Sequence, residues 1–340
     1  MVSLPYLTHA VAPVSGTWRE ESSDFLVDEI AAYNPSGTGE HLFVRFEKRE
    51  INTADAVRMI AKAIGADPGG AGFAGLKDRH AITTQWASFF HPSMPNSLDS
   101  LALPGIRVLE FAPHPHKLRT GHLHGNRFRI RLRGAAQQIA MVTETFRVLE
   151  QQGVPNYYGA QRFGHNNLAR AKDWLIENRP PPRSRFDRKL LVSVLQSSVF
   201  NDVLSQRIDC QEMSTAIEGD LLRKENSGGM FTTSDLSDAQ QRVMNWEISP
   251  TGPMVGLKMR WPEADALARE KAILAQSGID DDVLNRFRRA GQGTRRPLRV
   301  KLGESRVSVH AECSNDLDIE FVLPSGSYAT AVMREVLKSD

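Results

Sequence analysis

A single carboxylate between two cations is the first feature of this chain that could do chemistry. It lies in Phe73-Ala-Gly-Leu-Lys-Asp-Arg-His-Ala-Ile-Thr-Thr-Gln85, where a small Ala/Gly run leads to Asp78 and an apolar segment from Trp86 to Phe90 follows with the texture of a strand. Glycine lets a backbone approach a ligand closely, and a carboxylate beside Lys77 and Arg79 stays ionised, ready to act as a nucleophile or base. The same pattern also describes a solvated turn between two elements. Residue chemistry alone does not choose between them. Within the run, Gly70 to Gly75 spells G-x-G-x-x-G, but a dinucleotide site needs a helix after the glycines, and here Lys-Asp-Arg and a Thr/aromatic strand follow.

A second candidate is cationic. From His114 to Arg133 there are six Lys or Arg residues, four histidines and no acid, a local field suited to a polyphosphate partner. Its second half alternates, with Phe128, Ile130 and Leu132 on one face and Arg127, Arg129, Arg131 and Arg133 on the other. An apolar core face explains the first set completely. Four like charges on one face repel one another, and RNA contact by some of them is expected. His114, His116, His122 and His124 form two H-x-H pairs, but no nearby cysteine or carboxylate completes a zinc set, so they read as basic loop residues. A third cationic stretch runs from Asn285 to Lys301, with seven Lys or Arg residues and no acid, and partner binding is expected there too.

The elements that must position these residues can be read in chain order. Asp24 to Ile30 is a short apolar segment; Leu42, Val44 and Phe46 alternate as a half-buried strand; Asn52-Thr53 supplies an N-cap to a helix carrying Val57, Ile60, Ala61 and Ile64 and stopped by Gly65. Strands follow at 106 to 111 and 127 to 133, then a helix with Ile139, Val142, Phe146 and Leu149. After Gly153 the texture becomes mainly helical, with helices around Lys189 to Arg207 and Pro262 to Gln276, which argues for an inserted or second domain. Pro180-Pro-Pro182 among arginines reads as a stiff connector. Strand texture returns at 298 to 302, 307 to 309 and 319 to 323, before a final helix with Val332, Val336 and Leu337.

Composition narrows the class without naming a partner. The 340 residues allow one elaborate domain or two, and 42 Lys plus Arg against 40 Asp plus Glu leave a net charge of only +2. Cys210 and Cys313 are too few for a disulfide framework or a thiolate metal site, which points to a reducing cytoplasm. No apolar run approaches the roughly 20 residues of a membrane span, and the start lacks the regions of a signal peptide, so a soluble cytoplasmic protein is expected.

The Asp78 segment resembles the catalytic signature of the TruD-type tRNA pseudouridine synthases, with the family's nucleophilic aspartate falling on Asp78. Further matches follow in the family's order: Gly125-Asn-Arg-Phe128, the stretch Gly153 to Gly164, Thr251-Gly-Pro253, and Phe321 to Thr330 followed by Arg334-Glu335. Together they span nearly the whole chain. The resemblance implies an α/β (α+β) fold in which a pseudouridine synthase catalytic domain with a mixed sheet, residues 1–152 and 298–340, is interrupted by a mainly helical TRUD insertion domain at 153–297.

It also implies a reaction, the isomerisation of a uridine in tRNA, expected at position 13 of the D-arm, to pseudouridine. The base would be flipped from its stack, and Asp78 would attack either C1′ of the ribose or C6 of the base. No cofactor and no metal are implied; tRNA is the implied partner, and the chain is expected to act as a monomer. Phe128 and Phe321 occupy the family positions for contacts to the base, Asn126 would hydrogen-bond near Asp78 or the base, and Arg19 falls where the family pattern more often carries lysine. For both phenylalanines, a core position on a strand is the competing reading. Arg127, Arg129, Arg131, Lys117, Arg295 and Arg296 are the expected RNA contacts. A non-catalytic tRNA-binding protein on the same fold and a metal-dependent RNA hydrolase using the histidines are the rival readings.

Overall fold

The computed structural model describes residues 4–90, 92, 97, 101, 103–287 and 290–339. They fall into two compact units. The first comprises Pro13–Phe146 and Leu302–Ala329; the second gathers Met1–Ala12, Arg147–Lys301 and Thr330–Asp340. The expected domain limits were 152/153 and 297/298, so these units divide a few residues away and also place both chain ends with the second unit.

The first unit is built on a mixed sheet. Its elements in chain order are β1 (Phe25–Ala31), β2 (His41–Arg49), α1 (Thr53–Ala63), β3 (Gly72–Phe73), β4 (Ile82–Phe90), β5 (Ile106–His114), β6 (Leu123–Leu132) and the start of α2 (Ile139–Gln152). The chain then crosses the second unit before returning as β13 (Gly303–Val309) and β14 (Leu317–Pro324). The sheet runs β13-β14-β6-β1-β4-β2-β5, with β3 added beside β4. Only the β1–β4 pair is parallel among these strands; the others are antiparallel.

Strand alternation decides which side chains share a face, because residues paired across neighbouring strands point the same way. One row crosses five strands: Lys48 on β2 pairs Thr83 on β4, Thr83 pairs Val27 on β1, Val27 pairs Phe128 on β6, and Phe128 pairs Phe321 on β14. The next row holds Glu29, Asn126 and Leu323. Helix α1 buries Ala56, Val57, Ile60 and Ala61 against Leu42, Val44 and Phe46, which lie on Lys48's side of β2. Phe146 of α2 packs on Phe321 with ring centroids 5.8 Å apart. This face therefore carries the core.

The second unit starts, after the end of α2, with β7 (Val154–Pro155), α3 (Ala160–Phe163), α4 (Asn167–Leu175) and the long α5 (Arg185–Asp209). Ser184 caps α5 by accepting from the backbone N–H groups of Phe186 and Asp187. It continues with β8 (Leu222–Lys224), β9 (Met230–Phe231), α6 (Leu236–Met244), β10 (Ile248–Met254), α7 (Ala264–Gln276), α8 (Asp281–Phe287), β11 (Thr294–Pro297) and β12 (Arg299–Val300). A small antiparallel sheet, β11-β10-β8-β9, packs with α5 and α7. The last helix is α9 (Ala329–Leu337). The whole chain is thus α+β with a mixed sheet, as expected, and among the described residues no helix is long and apolar enough to cross a membrane.

The entry to β1 is fixed by an ion pair. Asp24 is wholly buried and accepts twin bonds from Arg133, at 2.8 to 3.1 Å, together with the Glu21 backbone N–H at 3.0 Å. Burial alone would raise this carboxyl; the arginine and the N–H outweigh it and hold it below the ordinary carboxylate range. A depressed carboxylate stabilises the fold above its unfolded pKa, near about 3.9, and that stability is lost as pH falls through its lower native value. Asp24→Asn is expected to cost about 3 kcal/mol at pH 7, and the difference from wild type should shrink below about pH 3.9. Urea titrations at pH 7 and pH 3 check both.

Candidate active site

Three side chains from one sheet face reach into the loop that carries Asp78. Lys48 Nζ donates to the Asp78 carbonyl at 2.6 Å, Gln85 Nε2 donates to the Gly75 carbonyl at 3.3 Å, and Glu29 Oε2 meets Lys77 Nζ at 2.6 Å. From the first turn of α1, Thr53 Oγ1 accepts the Lys77 N–H at 3.0 Å and donates to Gln85 Oε1 at 2.9 Å. The loop is therefore held from below at Gly75, Lys77 and Asp78. At its start, β3 runs so close to the 117–118 segment that a Cβ on Gly72 would sit 2.1 Å from the Leu118 carbonyl, so glycine is required there.

Lys77 and Asp78 consequently face opposite ways. The Lys77 and Glu29 side chains are only 5% and 1% exposed, whereas the Asp78 side chain is 52% exposed. Its charged partner comes from far away in sequence: Arg19 Nη2 lies 3.3 Å from Asp78 Oδ2. The Arg19 guanidinium stacks over Trp18 at 4.5 Å and over Phe25 at 4.1 Å, which fixes its direction. Its backbone is left-handed, φ 67°, a conformation that costs a non-glycine residue about 1 kcal/mol or more and that gathers at functional sites. Burial lowers the Arg19 pKa, while Asp78 acts to raise it.

The polar atoms around this face are incompletely matched. Arg19 Nε, Thr83 Oγ1 and Asn126 Oδ1 are buried and have no hydrogen-bond partner in the protein. Buried polar atoms are nearly always satisfied, so orphaned atoms on the same face as a half-exposed carboxylate mark it as a place for a polar ligand. An ionised carboxylate, steadied by a guanidinium and open on one side, can attack an electrophilic carbon or accept a proton.

The structure revises several expected roles. Phe321 is fully buried, 5.3 Å from Phe128 and against Phe146, so its ring is core and offers no open face to a ligand. Phe128 is 5% exposed and stacks on Phe25 at 6.1 Å. Arg127, Arg129 and Arg131 alternate onto the opposite face of the sheet from the Asp78 loop, and each is neutralised: Arg127 by Glu304, Arg129 by Asp28, Arg131 by Asp316. The repulsion that suggested RNA contact is thus relieved by acids from β1, β13 and the segment before β14. Arg295 is 1% exposed and paired with buried Glu270, so it is a core residue rather than an RNA contact. Arg296 bonds Asn156 and lies over Tyr158 at 4.3 Å; Lys117 is half-buried. Arg288 and Arg289 lie outside the described residues.

One histidine of each pair is engaged within the protein. His122 bonds the Tyr33 hydroxyl at 2.8 Å and His114 stacks on Tyr33 at 5.2 Å. Among the described residues no group of three or more His, Cys, Asp or Glu is placed to hold a metal ion.

Lys48, Thr53, Gln85 and Glu29 went unremarked in the sequence, apart from Thr53 as an N-cap. Asn52 occupies the cap position without a side-chain cap bond, and Thr53 spends its hydroxyl on the Asp78 loop instead. A signal for Lys48 did exist: it continues the Leu42-Val44-Phe46 alternation, where an apolar residue would be expected.

Comparison with known proteins places the chain among relatives of one family. The family profile for tRNA pseudouridine synthase D (TruD) matches residues 1–172 and 186–336. A tRNA pseudouridine synthase D of Anaeromyxobacter sp. (strain Fw109-5) is 41% identical over 349 residues, covering 100% of this chain and 97% of the relative. One from Thermus thermophilus is 37% identical over 340 residues, covering 98% and 92%. A crystal structure from Methanosarcina mazei assigned to the same family superposes with a TM-score of 0.80 at 22% identity, over 99% of this chain and 96% of that one, which shows a shared fold.

If Phe321 is a core residue, Phe321→Ala should destabilise the protein by about 3 to 5 kcal/mol, whereas Arg129→Ala, which removes a surface pair, should change stability by about 0 to 1 kcal/mol. Urea denaturation of the unliganded protein measures both. A loss below about 1 kcal/mol for Phe321→Ala would return the ring to the set of ligand contacts.

Proposed function

Since the chain belongs to the TruD family of tRNA pseudouridine synthases, we propose that it is an isomerase converting a uridine of tRNA to pseudouridine with Asp78 as the nucleophile. The observation that supports the role of Asp78 most directly is its half-exposed carboxylate held 3.3 Å from Arg19 above a sheet face with unmatched polar atoms. The target is a uridine of the D-arm, expected at position 13.

The reaction exchanges one glycosidic bond for another. The target base leaves the RNA stack, since neither C1′ nor C6 can be reached within it. Asp78 attacks at C1′ or at C6, the N1–C1′ bond breaks, the uracil rotates, C5 bonds to C1′, and the bond to Asp78 breaks to return the free carboxylate. Loss of the C5 proton to solvent and protonation of N1 then restore a neutral base. Substrate and product have the same composition, so the conversion needs no redox equivalent and no group donor. Arg19 steadies the carboxylate before attack, and Asn126, with its unmatched Oδ1, bonds the base or the loop. Phe128 flanks this region from the sheet, with Phe321 supporting it from within the core.

In this reading the first unit is the catalytic domain and the second corresponds to the TRUD insertion together with both chain ends. Arg296 and Lys117 remain candidate RNA contacts. The protein acts where tRNA is processed, in the cytoplasm, as a monomer.

Incubation with a tRNA transcript carrying tritium at uridine C5 tests the activity. One equivalent of tritium per tRNA should reach solvent, and carbodiimide mapping should place a single pseudouridine in the D-arm. Tight tRNA binding with no tritium release would leave a non-catalytic tRNA-binding protein instead.

A further inference from the structure

Lys48 is the one charged group in the row of side chains that crosses the sheet beneath the candidate site, and it is wholly buried. Its neighbours in that row are Thr83, Val27, Phe128 and Phe321. A buried ammonium is costly, and a methionine of nearly the same shape would fill the position without that cost. The hydrogen bond that Lys48 makes leads to one place, the carbonyl of Asp78, at 2.6 Å.

That bond bears on the carboxylate through covalent geometry. Fixing the carbonyl of a residue fixes the plane of the following peptide and leaves a single rotation, about the Cα–C bond, between that plane and the direction in which the residue's own Cβ leaves the chain. With the Asp78 carbonyl drawn down onto the sheet, its side chain is left facing outward to Arg19. We propose that Lys48 is a positioning residue for the nucleophile: its ammonium clamps the Asp78 carbonyl, aims the carboxylate, and places a buried positive charge beneath the loop. This rests on the reading of Asp78 as nucleophile and adds a second cation, on the far side of the backbone from Arg19.

The surroundings of Lys48 make the role readable by pH. Burial brings its pKa down from 10.5 to about 8, with Asp78 and Glu50 acting to raise it and Lys77 to lower it. The other charged groups on the loop, Arg79 and His80, are held by Glu50 at the carbonyl and carboxylate. Thr83 on β4 and Ile106 on β5, which pair with Lys48, carry no charge. Between pH 8 and 10.5 the folded protein therefore binds fewer protons at this lysine than the unfolded chain. The burden on stability is full below that window and is relieved as pH rises through it.

The test compares wild type, Lys48→Met and Lys48→Arg by single-turnover tritium release from tRNA, from pH 6 to 9.5, alongside tRNA affinity and the thermal midpoint. For wild type the rate should fall as pH rises through about 8. Lys48→Met should lose at least about tenfold in rate with affinity within about threefold, lack the alkaline fall, and melt at the same temperature or higher. Lys48→Arg should restore part of the rate and hold it above pH 8. A rate within about threefold of wild type for Lys48→Met, or a rate lost together with a lower midpoint, overturns the positioning role while leaving Asp78 as nucleophile. A wild-type protein with no turnover overturns the parent reading, and this one with it.

Discussion

The buried ion pair between Lys77 and Glu29 is the contact from which the rest of the site follows. Lys77 Nζ and Glu29 Oε2 are 2.6 Å apart with almost no solvent at either side chain. Glu29 also accepts the Trp86 backbone N–H at 3.2 Å, so the same carboxylate joins β1, β4 and the loop. Removing either partner would leave a bare charge inside the protein, at a cost of about 3 to 5 kcal/mol. Because Lys77 must turn inward to meet Glu29, its neighbour Asp78 turns outward. Lys77, the cation next to Asp78 in sequence, anchors the loop.

The sheet divides the remaining work between its faces. On one side lie Lys48, Thr83, Glu29, Asn126 and Phe128, along with the Asp78 loop and the core under α1 and α2. On the other side the arginines of β6 are matched by acids from neighbouring strands and the segment before β14. A one-residue slip of β6 would exchange the two sets, so the apolar alternation that buries Phe128 and Ile130 also keeps four guanidinium groups away from the Asp78 loop. Two of the charges placed against Asp78 come from distant elements, Arg19 at its carboxylate and Lys48 at its carbonyl.

Much of this was legible in the sequence because it is local. Alternation on β6, the α1 helix ending at Gly65, the long helix near 189 to 207 and the motif order were all visible, and the mixed α+β fold followed. Arg19 was reachable only through resemblance, since nothing in residues near it points to Asp78, 59 positions away. What the sequence hid was pairing over distance. The acids that neutralise Arg127, Arg129 and Arg131 lie 101 to 185 residues away, and Glu270 buries Arg295 from another element. A run without acids looked like an open cationic surface for that reason. Lys48 was missed for the opposite reason: a lysine at the end of a strand normally snorkels to solvent, and only the loop above it shows that it does not.

The central claim is that Asp78 performs chemistry and does not merely bind. Its direct test is the single-turnover rate of pseudouridine formation by Asp78→Asn, measured with tRNA affinity on the same preparation. The substitution keeps the side chain's shape and removes its charge. The structure predicts no detectable pseudouridine and an affinity within a few-fold of wild type. Pseudouridine formed at an undiminished rate per bound tRNA would contradict it.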